Sequence, residues 1–212
     1  MNGSTILQKL ETYFRLSPAP SGLIVPPDPL EQGQESAEFV DGTAVRHAAV
    51  LLTLTRPCAD MDESHVMLTL RTSHLRRHAG QVSLPGGSAN PEDPDIIHTA
   101  LREAEEETRL RPADVTVLGR LPPLIMPSAF HVTPVVGLIA PGITLSACPE
   151  EVAEIFYVPA AIVLNPGNYR INHMLFRGRE RQFWELQHGQ YRIWGATAVI
   201  LRHLAVQLDQ LR

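Results

Sequence analysis

The chain has 212 residues, 44% of them apolar and 19% charged, which gives room for one sizeable domain and a short appended segment. No run reaches the roughly 18 uninterrupted apolar residues of a membrane-spanning helix, and a net charge of −5 argues against broad nucleic-acid binding. Two cysteines, Cys58 and Cys148, lack metal-type spacing and read as inert thiols of a cytoplasmic protein.

The opening MNGSTILQKLETYFRL has neither the basic start nor the apolar stretch of a secretory signal. Residues 4–16 predict a short helix capped by Ser4, with Ile6, Leu7, Leu10 and Phe14 on one side. The Pro- and Gly-rich stretch from Ser17 to Gln34 is too poor in periodic apolar residues to be an element, and reads as a linker or an arm lying on the surface. The chain thus divides into an N-terminal helix and Pro-rich arm, 1–41, and a core domain, 42–212. In the core, Val45–Thr55 and Val66–Arg71 are β-branched and apolar, and predict strands. A polar loop, Thr72 to Gly87, leads to a helix near Pro94–Arg109. Strand-like runs recur at Val115–Leu118, Val132–Ile139 and Ile155–Val158, and Tyr169–Phe176 with Gln182–Leu186 predicts a hairpin. An amphipathic helix follows, roughly Trp194–Leu208. Strands on both sides of a central helix predict an α/β protein whose mixed sheet lies between helical layers.

The central helix carries TALREAEEET, residues 99–108, with four glutamates in five positions. Like charges at i,i+4 cost a few tenths of a kcal/mol per pair, and acids in a last turn oppose the helix dipole. With Glu103 placed at ~0° on the helical wheel, Glu106 falls at ~300° and Glu107 at ~40°, while Glu105 lies near ~200° on the expected solvent side. Ile97, Ala100 and Ala104 would face the sheet. A solvated acidic face is the ordinary reading of such a helix. Three converging carboxylates also suit a hard divalent cation such as Mg2+ or Mn2+, which would turn the repulsion into attraction. Just upstream, LPGGSANPED (84–93) brings Gly86 and Gly87, which permit close backbone approach ahead of the helix.

The stretch Gly87–Leu110 resembles the Nudix box, G-x5-E-x7-R-E-U-x-E-E-x-G-U with U aliphatic. Gly87, Arg102, Glu103, Ala104, Glu106, Glu107 and Leu110 match. Two positions depart: the upstream acid is Asp93, separated from Arg102 by eight residues instead of seven, and the late glycine is Arg109. Residues 67–87, MLTLRTSHLRRHAGQVSLPGG, resemble the signature that precedes the box in coenzyme A-hydrolysing members, through Leu68, Thr69, Arg71, Arg76, Gly80, Pro85, Gly86 and Gly87.

The resemblance implies a Nudix-type α/β/α sandwich that hydrolyses a nucleoside diphosphate linked to another moiety. For this branch the substrate would be coenzyme A or its thioesters, and the products 3′,5′-ADP and 4′-phosphopantetheine. By position, Glu103, Glu106 and Glu107, with the Gly87 carbonyl, would hold Mg2+ or Mn2+, and Arg102 would orient the cluster by hydrogen bonds. Glu103, Glu106 and Arg102 are the expected catalytic residues, with Glu103 or a loop acid (Glu150, Glu151 or Glu154) as general base. Arg71, Arg76 and Gly86 would bind substrate, and Arg71, Arg76, Arg77 and His78 form a basic island suited to phosphates. His74 and His78 lack a third ligand for zinc, and Phe183, Trp184 and Trp194 read as core before they read as an adenine platform. Met126, Pro127 and Ser128 read as a loop near the site. The expected partner is a small molecule, with no nucleic acid and no membrane; a homodimer is left open. A Nudix enzyme for ADP-ribose or a dinucleotide, and a non-catalytic nucleotide-sensing module, are the alternatives.

Overall fold

The apolar run Arg46–Thr55 forms β1, the middle strand of an eight-stranded sheet, and its continuous hydrophobicity is that of a strand buried on both faces. The computed structural model describes residues 3–18, 20–27, 45–58, 63–75, 78–126, 130–176 and 178–211. β1 runs antiparallel to β2 (His65–Arg71) on one side. On the other it runs parallel to β7 (Phe130–Ile139), in register from Arg46 opposite Phe130 to Thr55 opposite Ile139. A parallel pair needs a long crossover. Here the crossover carries β2, β3 (Val82–Ser83), β4 (Gly86–Ser88), helix α2 (Ile96–Thr108), β5 (Val115–Arg120) and β6 (Leu124–Ile125). β3, β2, β1, β7 and β5 lie in that order; β4 pairs with β1, β6 with β7, and β8 (Val152–Pro159) with β2.

Period-two alternation sends successive side chains to opposite layers. Ala49, Leu51, Met67, Val135 and Ile139 pack on Ala100 and Ala104 of α2. Leu52, Leu54, Val66, Leu68, Val136 and Leu138 face the larger cluster, where α1 (Gly3–Leu16) and α4 (Gly195–Gln210) supply Ile6, Leu10, Phe14, Leu201 and Leu204. The result is the α/β/α sandwich with a mixed sheet. A one-turn helix, α3 (Ala160–Val163), leads to a second, three-stranded sheet of β9 (Arg170–Phe176), β10 (Arg179–His188) and β11 (Tyr191–Trp194). Among the described residues no helix is long and apolar enough to cross a membrane.

Three differences from the sequence expectation have physical reasons. The polar loop 72–87 contains β3 and β4, too short for any periodicity to register. Tyr191–Trp194 pairs with β10 as β11, so the last helix begins one residue later, at Gly195. The N-terminal helix is woven into the core: Ile6 and Leu10 are fully buried, and Lys9 Nζ donates to the Leu208 and Leu211 carbonyls at the end of α4, at 2.9 and 2.8 Å. Within the segment read as an arm, Ile24 is also fully buried and bridges Leu124. The boundary drawn at residues 41 and 42 lies outside the described residues.

Helix α2 ends on Arg109, in the left-handed region at φ 59° and ψ 20°, its N–H bonded to the Glu105 carbonyl at 2.9 Å. A side chain costs energy in that conformation and glycine does not. Arg109→Gly is therefore expected to stabilise the protein by about 0.5–1 kcal/mol, seen as a thermal midpoint roughly 1–4 °C higher.

Candidate active site

Asp95 caps the N-terminus of α2, accepting from the Ile97 and His98 N–H groups at 2.9 Å each. The loop ahead of it is organised by Asp93, which accepts from the Asn90 N–H at 2.9 Å and the Thr99 hydroxyl at 2.8 Å. Asp93 also takes both forks of Arg102, with Nε on Oδ1 and Nη2 on Oδ2, each at 2.9 Å. That bidentate pair, foremost, holds the Asp93 carboxyl well below the usual carboxylate range and keeps Arg102 protonated. Asp93 thus reaches the Arg102 guanidinium from the loop ahead of the helix.

The remaining Arg102 contacts go to the helix glutamates and to β4. Nη1 donates to Glu103 Oε1 at 2.8 Å and to both Glu106 oxygens at 3.3 Å, and Nη2 to the Ser88 carbonyl at 3.1 Å. The three glutamates singled out from the wheel differ in exposure. The Glu107 side chain is 3% exposed, Glu103 18% and Glu106 60%. Glu105, expected on the solvent side, is half-buried. Burial raises Glu103, and it pushes Glu107 up to about 7 against the opposing effect of Arg71.

Arg71, on β2, donates from Nη1 to Glu107 Oε1 at 3.3 Å and stands 3.5 Å through Nη2 from Glu151 Oε2. Glu151 is thus the loop acid that faces the cluster, and its charge acts on both Glu103 and Glu107. Glu150 instead accepts from the Cys148 thiol at 3.0 Å, and Glu154 accepts from the Tyr191 hydroxyl at 2.6 Å. Gly86 and Gly87 sit in β4 against β1, paired with Val50 and Ala49. A Cβ at 86 would overlap the Ala49 carbonyl, and one at 87 would overlap the Glu103 carboxylate. Backbone contact and a φ of 157° require glycine at 86, whereas at 87 a side chain would displace the Glu103 carboxylate.

The acids fit a hard cation by chemistry. Glu107 Oε2 is buried with no hydrogen-bond partner, a carboxylate oxygen that burial leaves short of positive charge. Among the described residues no three acidic, imidazole or thiol side chains form a ready-made metal cage. Arg102 and Arg71 lie against the carboxylates instead.

Arg71, Gly86 and Gly87 open on a cavity of about 890 Å³, shared with Arg46, Phe130, Trp194 and Ile200. Sequence reasoning did not find Arg46 or Phe130. They are 84 positions apart in the chain, and the parallel β1–β7 register alone makes them neighbours, the guanidinium carbon 4.0 Å from the ring centroid. Arg76, Arg77, Pro127 and Ser128, expected near this site, lie outside the described residues. His74 and His78 have separate partners, the Glu150 carbonyl at 3.2 Å and Gln81 Oε1 at 2.9 Å. Trp184 packs on the core beneath the Arg202 guanidinium, 3.8 Å away, whereas Trp194 lines the cavity.

Residues 45–175 match the NUDIX domain. The Nudix hydrolase NudL of Photorhabdus laumondii is 45% identical over 164 residues, spanning 77% of this chain and 86% of that protein. The NudL of Escherichia coli O7:K1 is 42% identical over 163 residues, 77% and 83% of the two chains. The crystal structure of a MutT/nudix family protein from Enterococcus faecalis superposes with a TM-score of 0.50 at 16% identity, covering 97% of this chain and 75% of that one, a likeness of fold.

Proposed function

Because this chain belongs to the Nudix family, whose members act on pyrophosphate bonds of small molecules with a divalent cation, we propose that it cleaves the diphosphate of coenzyme A into 3′,5′-ADP and 4′-phosphopantetheine. The observation that carries this reading is the meeting of two sequence stretches at one point. Arg71, from the stretch before the box, is bonded to Glu107 of the box at the rim of the cavity that Gly86 and Gly87 line. An arginine there suits bidentate contact with phosphate oxygens.

In this reading Glu103, Glu106 and Glu107, with the Gly87 carbonyl, hold Mg2+ or Mn2+, which when bound neutralises charge developing on the diphosphate oxygens. Arg102 fixes the carboxylates of Glu103 and Glu106, and is itself fixed by Asp93. Arg71, freed from part of its contact with Glu107, binds a phosphate, and Gly86 lets substrate approach the backbone. A water oxygen attacks one phosphorus, the P–O–P bridge breaks on the far side, and the leaving phosphate carries the bridging oxygen away. Glu151 takes the water proton. Of the three loop acids, it alone has its carboxylate turned to this cluster by way of Arg71.

The test is a substrate panel with product identification. Purified protein with Mg2+ or Mn2+ is expected to release 3′,5′-ADP from coenzyme A. Cleavage of ADP-ribose or a dinucleotide with coenzyme A left intact would overturn the substrate and keep the family chemistry.

A further inference from the structure

We propose that a second cavity, on the opposite face of the sheet from the cleft, binds a small organic phosphomonoester through Arg120, His47 and His131. The cavity holds about 480 Å³. On its face of the sheet β1 and β7 are apolar beneath α2, at Ala49, Leu51, Val135 and Ile139. Period-two alternation carries the same face back to His47 on β1 and to Thr133 and His131 on β7. All three side chains line the cavity, together with Ile96, the first residue of the helix. Their chain neighbours Arg46, Phe130 and Val132 line the cleft on the other face. The parallel register sets His47 opposite His131, with ring centroids 5.8 Å apart. The loop ahead of α2 is tied to this end of β1 by the Ala89 N–H, bonded to the His47 carbonyl at 2.9 Å.

The acids of this cavity are used and its donors are not. Asp93 is held by Arg102, the Thr99 hydroxyl and the Asn90 N–H. Asp95 accepts from the Ile97 and His98 N–H groups and meets the His98 ring at 2.9 Å. The side chains of Arg120, His47, His131, Asn90 and Thr133 make no hydrogen bond or ion pair among the described residues. Five donor-bearing side chains outnumber the two oxygens of a carboxylate, whereas a phosphomonoester brings three terminal oxygens and up to two charges. A guanidinium meets two of those oxygens as a fork. Pro20, Leu121 and Pro123 form the apolar part of the wall and suit a short organic group esterified to the phosphate. Hydrolysis of a diphosphate that joins two organic groups releases two phosphomonoesters, so the family reaction itself supplies this class of ligand.

The experiment follows the imidazole signals of the full chain by NMR, in chelator at constant pH and ionic strength, with those of His47 and His131 identified through His47→Gln and His131→Gln. Phenyl phosphate is expected to move both signals saturably. Inorganic phosphate should do so with about tenfold weaker affinity, because it buries no apolar group. Acetate and chloride should leave both signals in place. Arg120→Gln is expected to weaken phenyl phosphate by about tenfold or more, the scale of a lost charged hydrogen bond. Arg120 is exposed, so the fold does not depend on it. Arg71→Ala, which alters the cleft, should leave the titration unchanged. Signals that stay still, that answer equally to acetate or chloride, or that titrate alike in Arg120→Gln would overturn the site. Loss of the titration in Arg71→Ala would assign the ligand to the cleft instead, and inorganic phosphate binding as tightly as phenyl phosphate would overturn the ester. Turnover is not read, so cleavage of coenzyme A stands or falls separately on its substrate panel.

Discussion

Glu107→Gln is expected to lower kcat by at least about 10²-fold, the scale of loss when a charge that holds a catalytic cation is removed. The fold should tolerate the change. Glutamine keeps the volume of a side chain that is 3% exposed, and it is isosteric with the protonated acid that burial favours. The same burial makes a pH prediction for the metal-free protein. In the folded chain this carboxyl sits at about 7, against an ordinary value of 4.5, so the folded state binds the proton more tightly than the unfolded state. The contribution to stability is therefore full below about 4.5, falls as pH rises towards 7 and is flat above, a loss of about 3 kcal/mol. Chemical denaturation in chelator should show this decline in the wild type and its absence in Glu107→Gln. Saturating Mg2+ or Mn2+ should raise the thermal midpoint of the wild type more than that of the variant, because a ligand stabilises only the state that binds it. Unchanged turnover in Glu107→Gln would remove Glu107 from the metal set.

Gly87→Ala is expected to cost activity on a similar scale by another route. The added methyl overlaps the Glu103 carboxylate, and β4 cannot withdraw because Gly87 is paired with Ala49 of the central strand. Glu103 then has to leave its 2.8 Å bond to Arg102, carrying one of the proposed metal-holding oxygens out of place. A loss of about 10²-fold in kcat is expected, since displacements of about 1 Å at a reacting centre have effects of this order. The fold should tolerate the methyl, because the group that has to move is the flexible end of the Glu103 side chain, and the circular dichroism of the folded protein should not change. A double-mutant cycle isolates the mechanism. If Gly87→Ala acts through Glu103, adding it to Glu103→Gln should lower kcat little further; full additivity would show that the glycine serves something else.

The outline of both the fold and the candidate site is legible in local pattern, for a reason tied to range. The central strands read as strands because burial on both faces leaves the stretch from Ala48 to Leu52 wholly apolar. Helix α2 reads as a helix because Ala100 and Ala104 recur at its period. The elements that were missed, β3, β4, β6, β11 and the one-turn helix α3, have two to four residues each and are held by their neighbours, with no periodicity of their own. The departures from the Nudix box became intelligible only with coordinates. Asp93 reaches Arg102 across its longer loop, and Arg109 occupies a left-handed helix end that suits glycine.

Local pattern was enough to place Arg102, Glu103, Glu106 and Glu107 on one helix behind a glycine pair, because residues three and four apart on a helix must be neighbours. It could not rank those glutamates. The wheel sent Glu105 to solvent, yet Glu106 is the exposed one and Glu107 the buried one, because the depth of a helix face depends on the strands packed against it. Tertiary structure alone brought Arg71 to Glu107 from 36 positions away, turned Glu151 rather than Glu150 or Glu154 towards the cluster, and set His131 beside His47. Each of these follows from strand register and from desolvation across the sheet, and no local period in a chain records them.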